Sequence, residues 1–156
     1  MRLQISTQLA IFAILELSAR EGEQLSVAEI GEKYSVSSHH LAKVMHVMGR
    51  AGLVRSVRGA GGGYQFTGNA RRITLLDVVQ LFEEPSSEPN GGGDGTAEGQ
   101  ALRQVLAEID DISRATLGSI TIATMRKLVE RAGGLRGKNV ARNADKSANK
   151  SATKPA

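Results

Sequence analysis

A chain of 156 residues, 40% apolar but only 3% aromatic, has room for one aliphatic core and a further segment beyond it. It carries no cysteine, which excludes disulfides, thiol redox switching, thiolate zinc sites and cysteinyl iron–sulfur ligation. The net charge of +4 is unevenly spread: residues 131–156 hold seven basic groups against Asp145 alone, and no carboxylate interrupts 33–72, where Lys33, Lys43, Arg50, Arg55, Arg58, Arg71, Arg72 and all three histidines fall. A positive tract inside an otherwise near-neutral chain is the footprint expected of phosphate-backbone binding.

The N-terminal Met1–Ile5 passes straight into an amphipathic pattern, without the long apolar stretch and small-residue cleavage site of a signal peptide. No apolar run approaches the roughly 20 residues of a membrane span, so a cytoplasmic protein is expected. Leu9, Ile11, Phe12, Ile14, Leu15 and Leu17 predict a helix over 6–20 that ends before Gly22. Ser26-Val27-Ala28-Glu29 reads as a capping box opening a short helix over 27–34, with Val27, Ile30 and Tyr34 on one side. After the tight turn at Ser35–Ser38, a third helix over about 38–50 turns Leu41, Val44, Met45 and Met48 inward. That leaves His39, His40, Lys43, His46 and Arg50 on its other surface.

Residues 53–58 alternate as a strand, 59–63 form a glycine turn, and Tyr64-Gln65-Phe66 alternates again on the return. Thr74 with Asp77 caps a nearly all-apolar helix that needs cover on more than one side. Residues 84–99, with two prolines and five glycines, read as a flexible loop. Helical spacing returns over 100–132, with Gly118-Ser119 as the point where it would break in two; from 133 onward a Lys/Ala/Asn/Ser-rich basic tail has almost nothing to bury and reads as disordered.

Two short helices joined by a four-residue turn and followed by a hairpin make the order of a winged helix-turn-helix. The fold expected is mainly α with a small β-hairpin wing and a long C-terminal dimerisation helix. Its segments are a DNA-binding domain over 1–83, a loop over 84–99, a dimerisation region over 100–132 and the tail over 133–156. Such a site needs short polar or basic groups for base edges, neighbours that hold phosphates, and a basic, narrow wing. Ser37, Ser38, His39, His40 and Lys43 meet the first demand, and Arg50, Arg55 and Arg58 the others. Gly61, Gly62 and Gly63, leading into Tyr64, let the wing come close to DNA. Leu102, Val105, Leu106, Ile109 and Ile112 are the candidate dimer seam.

The stretch from Val36 through His39-His40-Leu41-Ala42-Lys43-Val44-Met45-His46 to Ser56-Val57-Arg58-Gly59-Ala60-Gly61-Gly62-Gly63-Tyr64, continued by Thr74–Val79 and preceded by Met1-Arg2-Leu3, resembles the Rrf2 family of bacterial regulators. The likeness covers about 1–83 strongly and 100–131 by helical pattern alone. It implies a homodimeric winged helix-turn-helix regulator on a pseudo-palindromic double-stranded DNA operator. Within the family, the run at 40–46 looks most similar to the nitric-oxide-sensing branch, whose iron–sulfur cluster is held by three cysteines in the loop before the dimer helix and an aspartate near the start of the first helix. Here the loop has no cysteine and the corresponding Thr7-Gln8 offers no carboxylate, so a cluster-free member, without cofactor, is expected. Ala60 stands where the wing commonly has proline.

Competing readings are weaker. Adjacent His39 and His40 point apart and lack a carboxylate beside them, so no metal site is expected. The glycine run lies between strands and lacks the Gly-Lys-Ser/Thr ending of a nucleotide loop. Asp110-Asp111 and Glu83-Glu84 have no nucleophile nearby and read as solvated surface or a helix end; no enzyme is expected. A sequence-specific repressor is the expectation, and the alternative is a non-specific, architectural DNA-binding protein relying on its tail. For the signal, three readings stand side by side: a small-molecule effector between the helix-turn-helix and the dimer helix, a partner protein bound at 84–99, and no effector.

Overall fold

A polar face is missing from the first helix. In the computed structural model, which describes residues 3–83 and 95–134, helix α1 (Ile5–Ala19) buries every residue from Leu9 to Ser18 except Phe12. The amphipathic pattern expected at this end therefore does not hold. The reason is position: α1 is the central element, packed by α3 (Ser38–Arg50), α4 (Leu75–Val79), α6 (Ile122–Arg131) and β2 (Gly63–Phe66) on its different sides. The remaining elements are α2 (Val27–Tyr34), β1 (Val54–Val57) and α5 (Ala97–Ser119).

Burial of α1 takes Glu16 with it, to 2% exposure. A buried carboxylate is tolerated only when paired and hydrogen-bonded. Glu16 is ion-paired with Lys33, lies 3.6 Å from the Arg20 guanidinium, and accepts a 2.9 Å hydrogen bond from the Tyr34 hydroxyl. The Tyr34 ring stacks on Phe12 with centroids 4.8 Å apart. Burial, and then the bond to Glu16, pushes the Tyr34 hydroxyl far above its ordinary range, so it stays a donor. This cluster fixes the C-terminal turn of α2 against α1.

The Ser26–Glu29 capping box forms, with the Glu29 amide 3.1 Å from Ser26 Oγ and the carboxylate returning to the Ser26 amide at 2.8 Å. The turn into α3 is tight because Ser35 adopts a left-handed φ of 54° and the Val36 amide reaches the Gly31 carbonyl at 2.9 Å. Any side chain at 31 would crowd that turn, since a Cβ there would lie 2.9 Å from the Val36 carbonyl oxygen. In α3, Leu41, Val44, Met45 and Met48 are buried as expected.

Strands β1 and β2 pair antiparallel, Val54 with Phe66 through Val57 with Gly63. Leu25 adds an antiparallel bridge from outside the hairpin: its amide and carbonyl both bond Tyr64, at 3.0 and 2.8 Å. The Thr74–Asp77 box forms, but α4 is only five residues long and Gln80–Glu83 follow as turns.

Helix α5 begins at Ala97, three residues earlier than expected, because Thr96 caps it through Gly99. It ends just past Gly118-Ser119, where Ile120 is extended and Thr121 caps α6. Three backbone bonds sew this junction to the segment before α4: Leu75 to the Ile120 carbonyl, Ile122 to that of Ile73, and Ala123 to that of Ala70. Helix α6 thus folds back onto α1, with Ile122 fully buried and Met125 and Val129 packed on the core. The apolar face running from 102 to 129 divides here: the second half serves the core, while Leu102, Val105, Leu106, Ile109 and Ile112 are between 43 and 67% exposed. The expectations for most of the 84–99 loop and for the tail beyond 134 lie outside the described residues. Among those residues, no helix is long and apolar enough to cross a membrane.

Candidate nucleic-acid interface

The outer face of α3 carries Ser37, Ser38, His39, Lys43, His46 and Arg50, all exposed and without a carboxylate among them. Ser37 is the N-cap residue, yet its hydroxyl takes no amide of its own helix. Ser26, Thr74, Thr96 and Thr121 all do so at their helices. The first amides of α3 therefore take no capping bond from the Ser37 hydroxyl, as suits a helix end that approaches a phosphate.

His40 is placed differently from its neighbours. It is half-buried, with Nε2 3.1 Å from Ser6 Oγ at the start of α1. That contact makes it an anchor between α1 and α3 as much as a group for base edges.

Residues Ala51–Leu53 lead directly from α3 into β1, carrying Arg55 and Arg58 onto the wing. Arg55 faces Gln65 across the hairpin, and its Nε and Nη2 donate to Gln65 Oε1 at 2.9 and 2.6 Å. The guanidinium is thereby aligned before it meets any ligand. Arg58 is exposed and has no ion-pair partner among the described residues.

The wing glycines have internal reasons to be glycine. Gly61 takes a φ of +75° at the turn. A Cβ on Gly62 would lie 2.8 Å from the Val57 carbonyl oxygen, and one on Gly63 would overlap the Leu25 backbone. Tyr64 is half-buried and committed to Leu25 through its backbone. Gly62, Gly63 and Tyr64 therefore shape the wing, and Gly61 and Arg58 stand at its exposed edge. Gln24, which composition and periodicity did not single out, donates to the Gly61 carbonyl at 2.6 Å and ties the wing turn to the α1–α2 loop.

The basic tract of 33–72 is also divided by folding. Lys33 is ion-paired with Glu16, and Arg71 lines a cleft against α6. Lys43, Arg50, Arg55 and Arg58 remain for the α3 and wing surface.

At the Thr7-Gln8 position, where the resemblance places an acidic cluster ligand, Thr7 is buried and donates its hydroxyl to Glu83, which also accepts from the Gln4 amide at 2.8 Å, and Gln8 donates its side-chain amide to the Leu3 carbonyl at 3.0 Å. The Thr7 bond, and then the Gln4 bond, hold the Glu83 carboxyl below its ordinary value. Because the folded value lies below the unfolded one, this group stabilises the fold above the ordinary glutamate range. That contribution is lost as pH falls through the lowered value. Acid-unfolding curves of Glu83→Gln should lack it; identical acid limbs for variant and wild type would remove Glu83 from the account.

The sequence profile of the Rrf2 family, described as iron-dependent transcriptional regulators, matches residues 3–127. The chain is 44% identical over 131 residues to BadM of Rhodopseudomonas palustris, named as an HTH-type transcriptional regulator, covering 83% of this chain and 84% of that one. It is 29% identical over 123 residues to the HTH-type transcriptional regulator CymR of Bacillus subtilis, covering 78% and 87%. Among solved structures, that of CymR, the global cysteine regulator of B. subtilis, superposes with a TM-score of 0.70 at 25% identity over 82% of this chain and 98% of that one. T. potens IscR does so with 0.70 at 26% identity over 90% and 96%. With its helix-turn-helix, its hairpin wing and its long α5, the chain belongs to the Rrf2 family of DNA-binding transcription regulators.

Proposed function

We propose that this protein is a homodimeric, sequence-specific repressor, cytoplasmic and not an enzyme, that binds a pseudo-palindromic operator through α3 and the wing. The observation that carries the reading is the carboxylate-free outer face of α3, with its N-terminal amides uncapped by Ser37 and an aligned arginine on the adjoining wing. Two copies joined along α5 would set two α3 helices into successive major grooves, about one helical turn apart. Ser37, Ser38, His39 and Lys43 then face base edges; Arg50, Arg55 and Arg58 hold phosphates.

The family description names iron, which needs a set of protein donors to hold it. The chain contains no cysteine, and the Thr7-Gln8 position offers no carboxylate, Thr7 being engaged with Glu83 and Gln8 with the Leu3 carbonyl. Among the described residues no three of His, Asp or Glu gather into a metal-holding group. These residues do not fit a cysteine-ligated iron–sulfur cluster, and we assign none.

Base readers and phosphate holders separate in mutagenesis. Lys43→Ala should narrow the affinity gap between operator and scrambled DNA, the loss of one base contact being worth about 1–3 kcal/mol. Arg58→Ala should weaken binding to both duplexes alike and lower the salt slope by about one. Titrations on both duplexes across salt decide it, and an Arg58→Ala protein with unchanged affinity would remove the wing from the interface.

The basic tail favours a second reading, in which residues beyond 134 supply most of the affinity without regard to sequence.

A further inference from the structure

A cleft of about 1030 Å³ opens between the segment 68–71, which follows the wing, and one face of α6. It shares no residue with the α3 and wing surface. Its charged walls are Arg71, Arg126 and Lys127 on one side of the balance and Glu21 and Glu130 on the other. None of the five is in an ion pair among the described residues. Unpaired cations gathered on one concave surface attract anions, because low-dielectric walls concentrate their field.

Arg126 adds a more specific observation. Its Nη1 donates to the Ser18 carbonyl at 2.7 Å, near the C-terminal end of α1, while its Nε is buried without an acceptor among the described residues. A buried guanidinium donor left unsatisfied is costly and calls for a partner. The N-terminus of α6 does not supply the site, because its first three amides are already bonded to Ile73, Ala70 and Thr121. The side chains must do so. Arg71 and Lys127 beside Arg126 suit an oxyanion, and the two carboxylates with Asn69 suit hydroxyl or amino groups on the same molecule.

We infer that this cleft is a binding site for a small hydrophilic acid, gripped through a carboxylate or phosphate group by Arg126, Lys127 and Arg71. Its two walls are the ones sewn together by the Ala123–Ala70 and Ile122–Ile73 bonds at the base of α5. A ligand bridging them would change how firmly the winged domain is held to the exposed helix. The effect on DNA binding rests on the regulator reading above; binding itself does not.

The test is calorimetric titration of the full chain, without DNA, against citrate and against inorganic phosphate at matched ionic strength. Saturable binding of citrate, one per chain and weakened about tenfold or more in the Arg71→Gln/Lys127→Gln variant, is the expected result. The same behaviour with phosphate in place of citrate supports the site and assigns its grip to a phosphate rather than a carboxylate group. Arg126 is left intact because its bond to Ser18 also serves α1. Absence of saturable binding for both probes, or equal affinity in the double variant, overturns the proposal. Operator titration with and without the bound probe then reads the regulatory effect: a shifted affinity supports it, and an unchanged one overturns that half alone.

Discussion

If the proposed α5 seam joins two copies, Ile109→Glu should leave the protein monomeric and reduce operator affinity by about two orders of magnitude or more. Leu102, Val105, Leu106, Ile109 and Ile112 fall at helical spacing on α5, and all are exposed in the single chain although the rest of the fold has a closed core of its own. Burying each of these side chains is worth about 1.5–3 kcal/mol at full burial, and a second copy of the same face buries them from both sides. A carboxylate at the centre of that seam would face its own symmetry mate in an apolar setting, which costs far more than the lost isoleucine contributes. Losing the dimer removes the linkage between half-sites, which is worth about 10²–10⁴ in affinity. Sedimentation equilibrium and operator titration on the same preparation check both halves. Ile109→Leu should remain dimeric, and an Ile109→Glu protein that stays dimeric would exclude α5 as the seam.

Gly63→Ala should cost about 1–3 kcal/mol of stability and weaken binding to all DNA. The reason is space rather than backbone angle: the new Cβ would overlap the Leu25 carbonyl, which is backbone and cannot swing aside. Relief requires the hairpin to move off the α1–α2 loop, breaking both Leu25–Tyr64 bonds and the Gln24 tie to Gly61. Gly95→Ala, where a Cβ meets nothing, should change stability by no more than about 0.5 kcal/mol and serves as the control. Thermal unfolding and anisotropy titration read the two effects. A Gly63→Ala protein as stable as the control would mean that the wing is not held by Leu25.

The helix-turn-helix was legible because local chemistry and pattern agreed there. Ser26 and Glu29 mark the start of α2, and Leu41, Val44, Met45 and Met48 give α3 its inner face; both helices form as their residues specify. The first helix was less so. Its hydrophobic spacing cannot reveal that four elements surround it, nor that Glu16 finds Lys33 and Tyr34 a full element away. Helix α6 shows the same limit: Ile122, Met125 and Val129 continue the spacing of α5, and only the bonds from Ile120–Ala123 to the 70–75 segment turn them back to the core.

At the candidate site, residue types were readable and partnerships were not. The tract lacking carboxylates pointed to Lys43, Arg55 and Arg58, but it also counted Lys33, whose charge Glu16 takes up, and Arg71, which faces α6. The role of Gln65 follows from its register opposite Arg55, a consequence of where the glycine turn closes. Gln24 carries no local signal at all, since its partner is a backbone carbonyl 37 positions away.

The most direct test of the regulator reading is fluorescence anisotropy of the full chain and of a form lacking residues 135–156. Each is titrated with duplex from upstream of its own gene and with scrambled duplex, over a range of salt. The account predicts that both forms prefer the upstream duplex and that removing the tail lowers affinity and salt slope without erasing the preference. No preference in either form, with affinity collapsing once the tail is removed, would contradict it and identify a protein that coats DNA without reading it.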